Sequence, residues 1–383
     1  MHIEAVIGAN YGDEGKGMLT EHLCRKCSKP IVVLSNGGCQ RGHTVNNVEL
    51  GIRHVFNHFG SGTLLGVPTV FSKTFLLNPI KYIEEKQELE KLGLKPKTLR
   101  APGCLLQLPS DMFVNQMLEK QRGRSKHGSC GWGIWETKVR NRDFSPLAFD
   151  DFSKLDYSQK KKAMLEALAW QIDFRLENGK ESIDEKVYRA MTSEGFISHF
   201  VQDFEEMAAD VEMLESDQLA DIDWHKHGLD VKTLVVENAQ GLLLDQKYAP
   251  ADENGCRDIH STPSQTGLEG ALEALGDGFT ANDVVANYVS RSYLTRHGSG
   301  PFPEYDSSMK FNDATNVYND YQGSIRFGKL NVEELVERVK ADSMGAKEVN
   351  IVATHMNELE NEELREVSKL VSYEDDSRKF KQT

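Results

Sequence analysis

The sequence predicts an α/β fold: a mainly parallel central sheet with flanking helices and one helical insertion. Short apolar runs of strand composition recur along the chain, several alternate with segments of helical periodicity, and the polar glycine turns fall mostly where the strands end. With 383 residues the chain exceeds a typical single core, and it reads as one large α/β domain over 1–383.

Strand-like runs lie at 2–7, 31–35, 69–72, 233–238, around 284–296 and at 349–354. Helical patterns cover 16–27, 78–92 and 359–370. From about 153 to 218 the pattern is almost wholly helical and charged, which predicts an insertion packed on the sheet. The run KKK at 160–162 reads as a solvated helix face, and the tail DDSRKFKQT as a fraying end.

The net charge of −14 disfavours a nucleic acid polymer as partner, because no excess of Lys and Arg is present to displace condensed counterions. Small anions stay possible, since a local pocket of glycine and basic residues binds them on an acidic protein. No apolar run approaches the roughly 18 residues of a membrane span, and the N-terminus reads as a strand into a turn, so a cytoplasmic protein without membrane contact is expected. The six cysteines form no framework and read as reduced thiols; Cys24 and Cys27 resemble half a zinc site, but no second pair follows.

The most informative stretch is GANYGDEGKG, residues 8–17. A strand feeding a glycine turn and then a helix aims backbone N–H groups and the positive helix end at one point, where an anion would sit. The turn departs from the G-x-x-x-x-G-K-[ST] pattern, with Asn10 at the first glycine position and Gly17 in place of the hydroxyl residue. Such a loop needs another magnesium ligand, and Asp13 is the candidate. A carboxylate among phosphates repels them unless it holds a metal or takes a proton. The other reading makes Asp13 and Glu14 first-turn carboxylates that complement the helix dipole. Further polar glycine clusters, NGGCQRGHT (36–44), HFGSG (58–62), GRSKHGSCGWG (123–133), ENAQG (237–241), IHSTPSQTG (259–267), TRHGSGPFP (295–303), NDYQGSIRFG (319–328) and THMN (354–357), predict one extended site at the carboxyl ends of the strands.

GDEGKG, GGCQRGHTV, NHFGSG, ENAQGLLLD, TRHGSGPFP and QGSIRFGKL, in this order and spacing, resemble the adenylosuccinate synthetase family. The resemblance implies an adenylosuccinate synthetase-like, P-loop-related fold and a C–N ligase that joins L-aspartate to C6 of a 6-oxopurine mononucleotide, using a nucleoside triphosphate and Mg²⁺. It makes Asp13 the base that removes the N1 proton and a magnesium ligand, with the Gly42 carbonyl completing the metal shell. His43 would steady the transferring phosphoryl group as general acid and Lys16 would neutralise phosphoryl oxygens. Asn10, Gly12, Glu14, Gly15 and Gly17 belong to the phosphate loop, and Thr44 follows His43. Ser129 and Cys130 lie in the turn expected to hold the substrate phosphate, and Gln240 is expected to contact the purine nucleotide. Arg140 or Arg142 would reach a neighbouring subunit in a homodimer. Arg326 would fork onto the aspartate carboxylate, with Thr315 and Asn316 in support.

Three departures concern specificity. Relatives specific for GTP carry TKLD where this chain has THMN, so His355 and Asn357 border the donor base; an amide suits adenine better than guanine, which predicts ATP or dATP. Gln40 and Arg41 replace Asn and Ala beside the substrate, and the aspartate loop keeps few arginines. A bacteriophage branch of the family uses dGMP and ATP, although its usual members carry serine where this chain keeps Asp13. The expectation is an enzyme of the phage branch or an intermediate of it, in the host cytoplasm if phage-encoded, that converts dGMP to 2-amino-2′-deoxy-N6-succinyladenylate. The alternatives are an ordinary synthetase using IMP and GTP, and a non-catalytic purine nucleotide-binding protein.

Overall fold

The computed structural model describes residues 1–123, 127–176, 179, 183, 185–313, 315, 316, 318 and 320–358. The helix expected at 359–370 and the tail lie outside the described residues.

Twelve strands are described: β1 (His2–Gly8), β2 (Pro30–Leu34), β3 (His43–Asn47), β4 (Ile52–Phe56), β5 (Thr69–Phe71), β6 (Thr98–Arg100), β7 (Glu212–Met213), β8 (Thr233–Glu237), β9 (Val284–Arg291), β10 (Leu294–Arg296), β11 (Arg326–Gly328) and β12 (Glu348–Thr354). Eight of them form a parallel sheet in the order β12-β9-β1-β8-β2-β5-β6-β7. β1 is central, with Ile3 in register with Leu234 on one side and Val284 on the other.

Period-two alternation divides the core between the two faces of this sheet. Ile3, Ala5, Ile7, Ile31 and Val33 pack into one apolar cluster, while Val6, Val32 and Leu34 belong to the other. On the first face lie α9 (Leu268–Leu275) and α10 (Val332–Asp342), through Leu268, Ala271, Leu335 and Val339. The second face is covered by α1 (Lys16–Lys26), α2 (Pro79–Lys91) and α8 (Glu194–Asp210), through Leu19, Tyr82, Ile83, Phe200 and Phe204. Burial on both faces is why these strands read as near-continuous apolar runs. α2 begins where Asn78 accepts from Lys81 N at 3.0 Å and Pro79 takes the first helical position.

Helices between β6 and β7 begin earlier than the charge pattern suggests: α3 (Pro109–Arg122) and α4 (Ile134–Asp143) precede α5 (Phe149–Ser153), α6 (Tyr157–Arg175) and α7 (Glu185–Met191). Their apolar periodicity is broken by polar side chains that face inward, among them Asp111, Asn115, Glu119, Glu136 and Arg140. The KKK reading also needs correction, because Lys160 is buried, pairs with Glu205 and lies 5.4 Å from the Phe204 ring centre. Lys161 and Lys162 remain on the solvent side.

The apolar run expected at 284–296 splits. β10 leaves the main sheet and pairs antiparallel with β11, Leu294 opposite Gly328 and Arg296 opposite Arg326. A second two-stranded ribbon, β3 with β4, starts at His43 opposite Phe56. All six cysteines are free. Among the described residues no helix is long and apolar enough to cross a membrane.

Candidate functional site

The glycine loop lies between β1 and α1, pressed against the turn after β8. A side-chain carbon on Gly8 would come within 2.5 Å of the Gln240 carbonyl oxygen, and one on Gly241 within 2.4 Å of the Asn10 carbonyl oxygen. Gly12 and Gly15 hold φ of +104° and +92°, which only glycine takes without strain. Glu14 turns inward, its carboxylate accepting from the N–H groups of Asn10 (3.1 Å) and Gly12 (2.6 Å). Lys16 Nζ donates to the Gly12 carbonyl at 2.7 Å and stands 3.5 Å from Glu14 Oε2, with both side chains buried. Burial pushes the Glu14 carboxyl up and the Lys16 ammonium opposes it. No acidic residue lies in the first turn of α1, so the dipole-complementing reading of Asp13 and Glu14 fails.

A cavity of about 750 Å³ opens beside this loop. Of the expected residues, Gly12, Asp13, Gln40, Arg41, Gly42, His43, Ser129, Cys130, Gln240, Thr315 and Asn316 line it. Asn10, Glu14 and Lys16 are buried beneath the wall, and Thr44 touches it through a 3.2 Å contact between its hydroxyl and that of Thr315. Several buried polar atoms of the wall lack hydrogen-bond partners among the described residues: Gln40 Nε2, Gln240 Oε1, and Nε and one terminal nitrogen of both Arg41 and Arg296. Leaving so many buried polar groups unpaired costs about 1–3 kcal/mol each, which a polar ligand would offset. Cys130, its thiol pushed up to about 11 by burial, is a neutral wall residue near pH 7.

His43 begins β3 and faces the end of β8. Its Nδ1 lies 2.7 Å from Glu237 Oε1, and Arg41 donates to Glu237 Oε2 at 2.9 Å, all three side chains buried. Ser61 adds its N–H at 3.1 Å and its hydroxyl. Burial alone would raise the Glu237 carboxyl, but Arg41 and His43 outweigh it and hold it well below the usual carboxylate range. Burial, with the Arg41 charge added, lowers His43 to about 4. Facing an ionised carboxylate, the neutral ring carries its proton on Nδ1 and leaves the Nε2 lone pair free.

Asp13 lines the same cavity. Arg291 Nε donates to its backbone carbonyl, and its carboxylate lies 3.8 Å from His297 Nε2. Arg291 also pairs with Asp313 at 2.7 Å, and Asp313 accepts from the N–H groups of Thr315 and Asn316 at 3.0 Å. The segment bearing Thr315 and Asn316 is thereby tied to the loop bearing Asp13. Asp13 and Gly42 line the same cavity and offer a carboxylate and a carbonyl, hard oxygen donors that suit Mg²⁺. A separate group, His2, Glu4 and Cys27, lies at the opposite end of β1, where Glu4 is already engaged by His2 and Asn287 at 2.7 Å each.

Other expected residues are placed differently. Arg140 does not project outward: it is buried and forks onto Asp111 at 2.8 and 2.9 Å, which leaves Arg142, exposed and paired with Asp143, as the outward arginine of the two. Arg326 donates to the carbonyls of Gly298 (2.6 Å) and Gly300 (2.8 Å) and does not line the cavity. His355 and Asn357 also lie off the wall, Asn357 exposed in the short turn after β12. That turn adjoins the glycine loop, since the Thr354 hydroxyl donates to the Glu14 carbonyl at 2.7 Å. Sequence reasoning passed over Glu237, Arg291, Arg296, His297 and Asp313, although Glu237 opens ENAQG and Arg296 and His297 lie in TRHGSGPFP.

The family model for adenylosuccinate synthetase matches residues 5–354. Adenylosuccinate synthetase of Gloeothece citriformis is 29% identical over 300 residues, covering 78% of this chain and 61% of that protein. The Acinetobacter baylyi enzyme is 28% identical over 390 residues, 97% of this chain and 80% of that one. The chain thus spans about three fifths of the cyanobacterial relatives it matches, 61% and 62% for Gloeothece citriformis and Synechococcus elongatus. Among solved structures, fully ligated adenylosuccinate synthetase from Plasmodium falciparum superposes with a TM-score of 0.70 at 17% identity, covering 94% of this chain and 78% of that one. Cyanophage S-2L succinoaminodeoxyadenylate synthetase (PurZ), solved with dGMP and dATP, gives 0.63 at 13% identity, covering 99% and 91%. At these identities the superpositions establish a common fold; with the family model matching nearly the whole chain, the protein belongs to the adenylosuccinate synthetase family.

Proposed function

We propose that this chain is a ligase that condenses L-aspartate with C6 of a 6-oxopurine mononucleotide, with dGMP as acceptor and ATP or dATP as phosphoryl donor. The observation that carries the reading is the pairing, across one cavity, of Asp13 with the buried His43–Glu237 couple. A 6-oxo group leaves poorly, so Asp13 takes the N1 proton and O6 attacks the γ-phosphate; the aspartate amine then displaces the phosphorylated oxygen. As the phosphate charge arrives, His43 takes a proton from solvent onto Nε2, and this Nε2–H donates to the phosphoryl group and passes to the phosphate as it leaves; Lys16 sits under the loop to offset phosphoryl charge. Asp13 and the Gly42 carbonyl would hold Mg²⁺, which when bound supplies positive charge to the phosphate oxygens.

The choice of nucleotides rests on THMN in place of TKLD and on Gln40 beside the cavity. The cyanophage protein with the same fold holds this pair, dGMP and dATP. Asp13 itself favours a second reading, the ordinary synthetase using IMP and GTP. A homodimer belongs to either reading, with Arg142 as the arginine available to a neighbouring subunit. Phosphate release with aspartate and Mg²⁺, measured for IMP or dGMP against ATP or GTP, separates them. Turnover with dGMP and ATP supports the first; turnover confined to IMP and GTP replaces it with the second.

A further inference from the structure

His297 is a polar neighbour of the Asp13 carboxylate, and among the described residues the charge that acts on Asp13 from Arg291 comes with no side-chain hydrogen bond to its carboxylate. Among the described residues the Asp13 carboxylate accepts no hydrogen bond, and His297 Nε2 stands 3.8 Å from it, with side chains 24% and 16% exposed. The far ring nitrogen, Nδ1, is buried without a partner, so no structural hydrogen bond fixes the imidazole where it stands. Both residues line the cavity. A gap of 3.8 Å is too wide for a hydrogen bond but closes with a small turn of the Asp13 side chain.

The backbone that carries His297 is held from three directions. Arg296, immediately before it, lies 4.6 Å over the Tyr11 ring and donates to the His260 carbonyl at 3.1 Å. Immediately after it, Gly298 has φ +77° and packs so closely on Gly128 that a side-chain carbon on Gly128 would come within 2.7 Å of Ser299 N. Arg326 reaches from β11 to the carbonyls of Gly298 and Gly300 at 2.6 and 2.8 Å. With both backbones anchored, the imidazole and the carboxylate need only a small side-chain rotation to pair.

We propose that His297 is a positioning residue for Asp13: its Nε2–H holds one carboxylate oxygen, so that the other is directed at the purine proton. The neutral ring suffices, and no change of charge on either group is invoked. Arg326 thereby acts through the loop that carries His297. This inference rests on Asp13 being the base.

His297→Phe keeps the ring and removes the donor, whereas His297→Gln restores an N–H at similar reach. Steady-state kinetics should show kcat about tenfold lower in His297→Phe, the effect of one lost hydrogen bond, with nucleotide KM within about twofold and recovery of most of the rate in His297→Gln. Adding His297→Phe to Asp13→Asn should lower the rate no further. Wild-type kcat in His297→Phe overturns the inference, and so does a loss shared equally by kcat and KM that His297→Gln does not relieve. Near-normal turnover of Asp13→Asn alone overturns the base assignment instead, so the two failures are distinguishable.

Discussion

His43 Nδ1 stands 2.7 Å from Glu237 Oε1, and the Glu237 carboxylate is shared with Arg41 inside the protein. The pairing fixes both the ring orientation and the position of its proton, and it directs Nε2 to the cavity. A phosphoryl group arriving there brings the negative charge needed to draw a proton onto a ring that is otherwise neutral near pH 7.

Glu237→Gln therefore has two expected consequences. Its amide can face Nδ1 with N–H groups and favour the wrong tautomer, lowering kcat by about 10²–10⁴. It also leaves the Arg41 charge buried without its counter-ion, a loss of about 3–5 kcal/mol visible as a lower Tm. Kinetics and thermal melting of the same preparation check both.

Asp13→Asn preserves shape and removes the base. Nucleotide binding measured by calorimetry should stay within a few-fold, while turnover falls by at least about 10². The backbone contact from Arg291 is retained, so the fold should be unaffected.

Acid sensitivity should come in part from His58. Its Nε2 accepts from the Asn78 N–H at 2.9 Å in a closed aromatic setting, and burial, with Arg41 and Lys81 adding, lowers it to about 3. The unfolded chain binds this proton below pH 6.5 and the folded chain does not. Stability is therefore lost as pH falls from about 6.5 toward 3, by up to about 1.4 kcal/mol per pH unit. Chemical denaturation at several pH values should show a shallower slope for His58→Gln.

Asn357→Asp should move donor preference toward GTP by about tenfold or more, because a carboxylate accepts both adjacent donors of guanine. Competition between ATP and GTP measures this. An unchanged preference would detach the turn after β12 from the donor base.

The phosphate loop and the sheet were legible because their signals are local: apolar runs at β1, β2 and β8, and a glycine turn whose spacing admits few conformations. α3 and α4 were harder to read, since their inward faces carry Asp111, Glu119 and Arg140 in polar contacts that only tertiary structure supplies. The same cause hid Arg140, for which the family resemblance implied an outward role as the alternative to Arg142, and whose partner Asp111 lies 29 positions away. Glu237 and His297 lie within the glycine-rich motifs ENAQG and TRHGSGPFP, yet nothing local says that one meets His43 across 194 positions or that the other faces Asp13.

The most direct test of the account is the fate of the aspartate nitrogen. Incubated with ¹⁵N-aspartate, dGMP, ATP and Mg²⁺, the protein should release phosphate only when all are present. The purine product should carry the label at the C6 substituent, read by mass spectrometry. Phosphate release that proceeds without aspartate, or nucleotide binding with no labelled purine from either dGMP or IMP, would contradict a ligase built on Asp13 and His43.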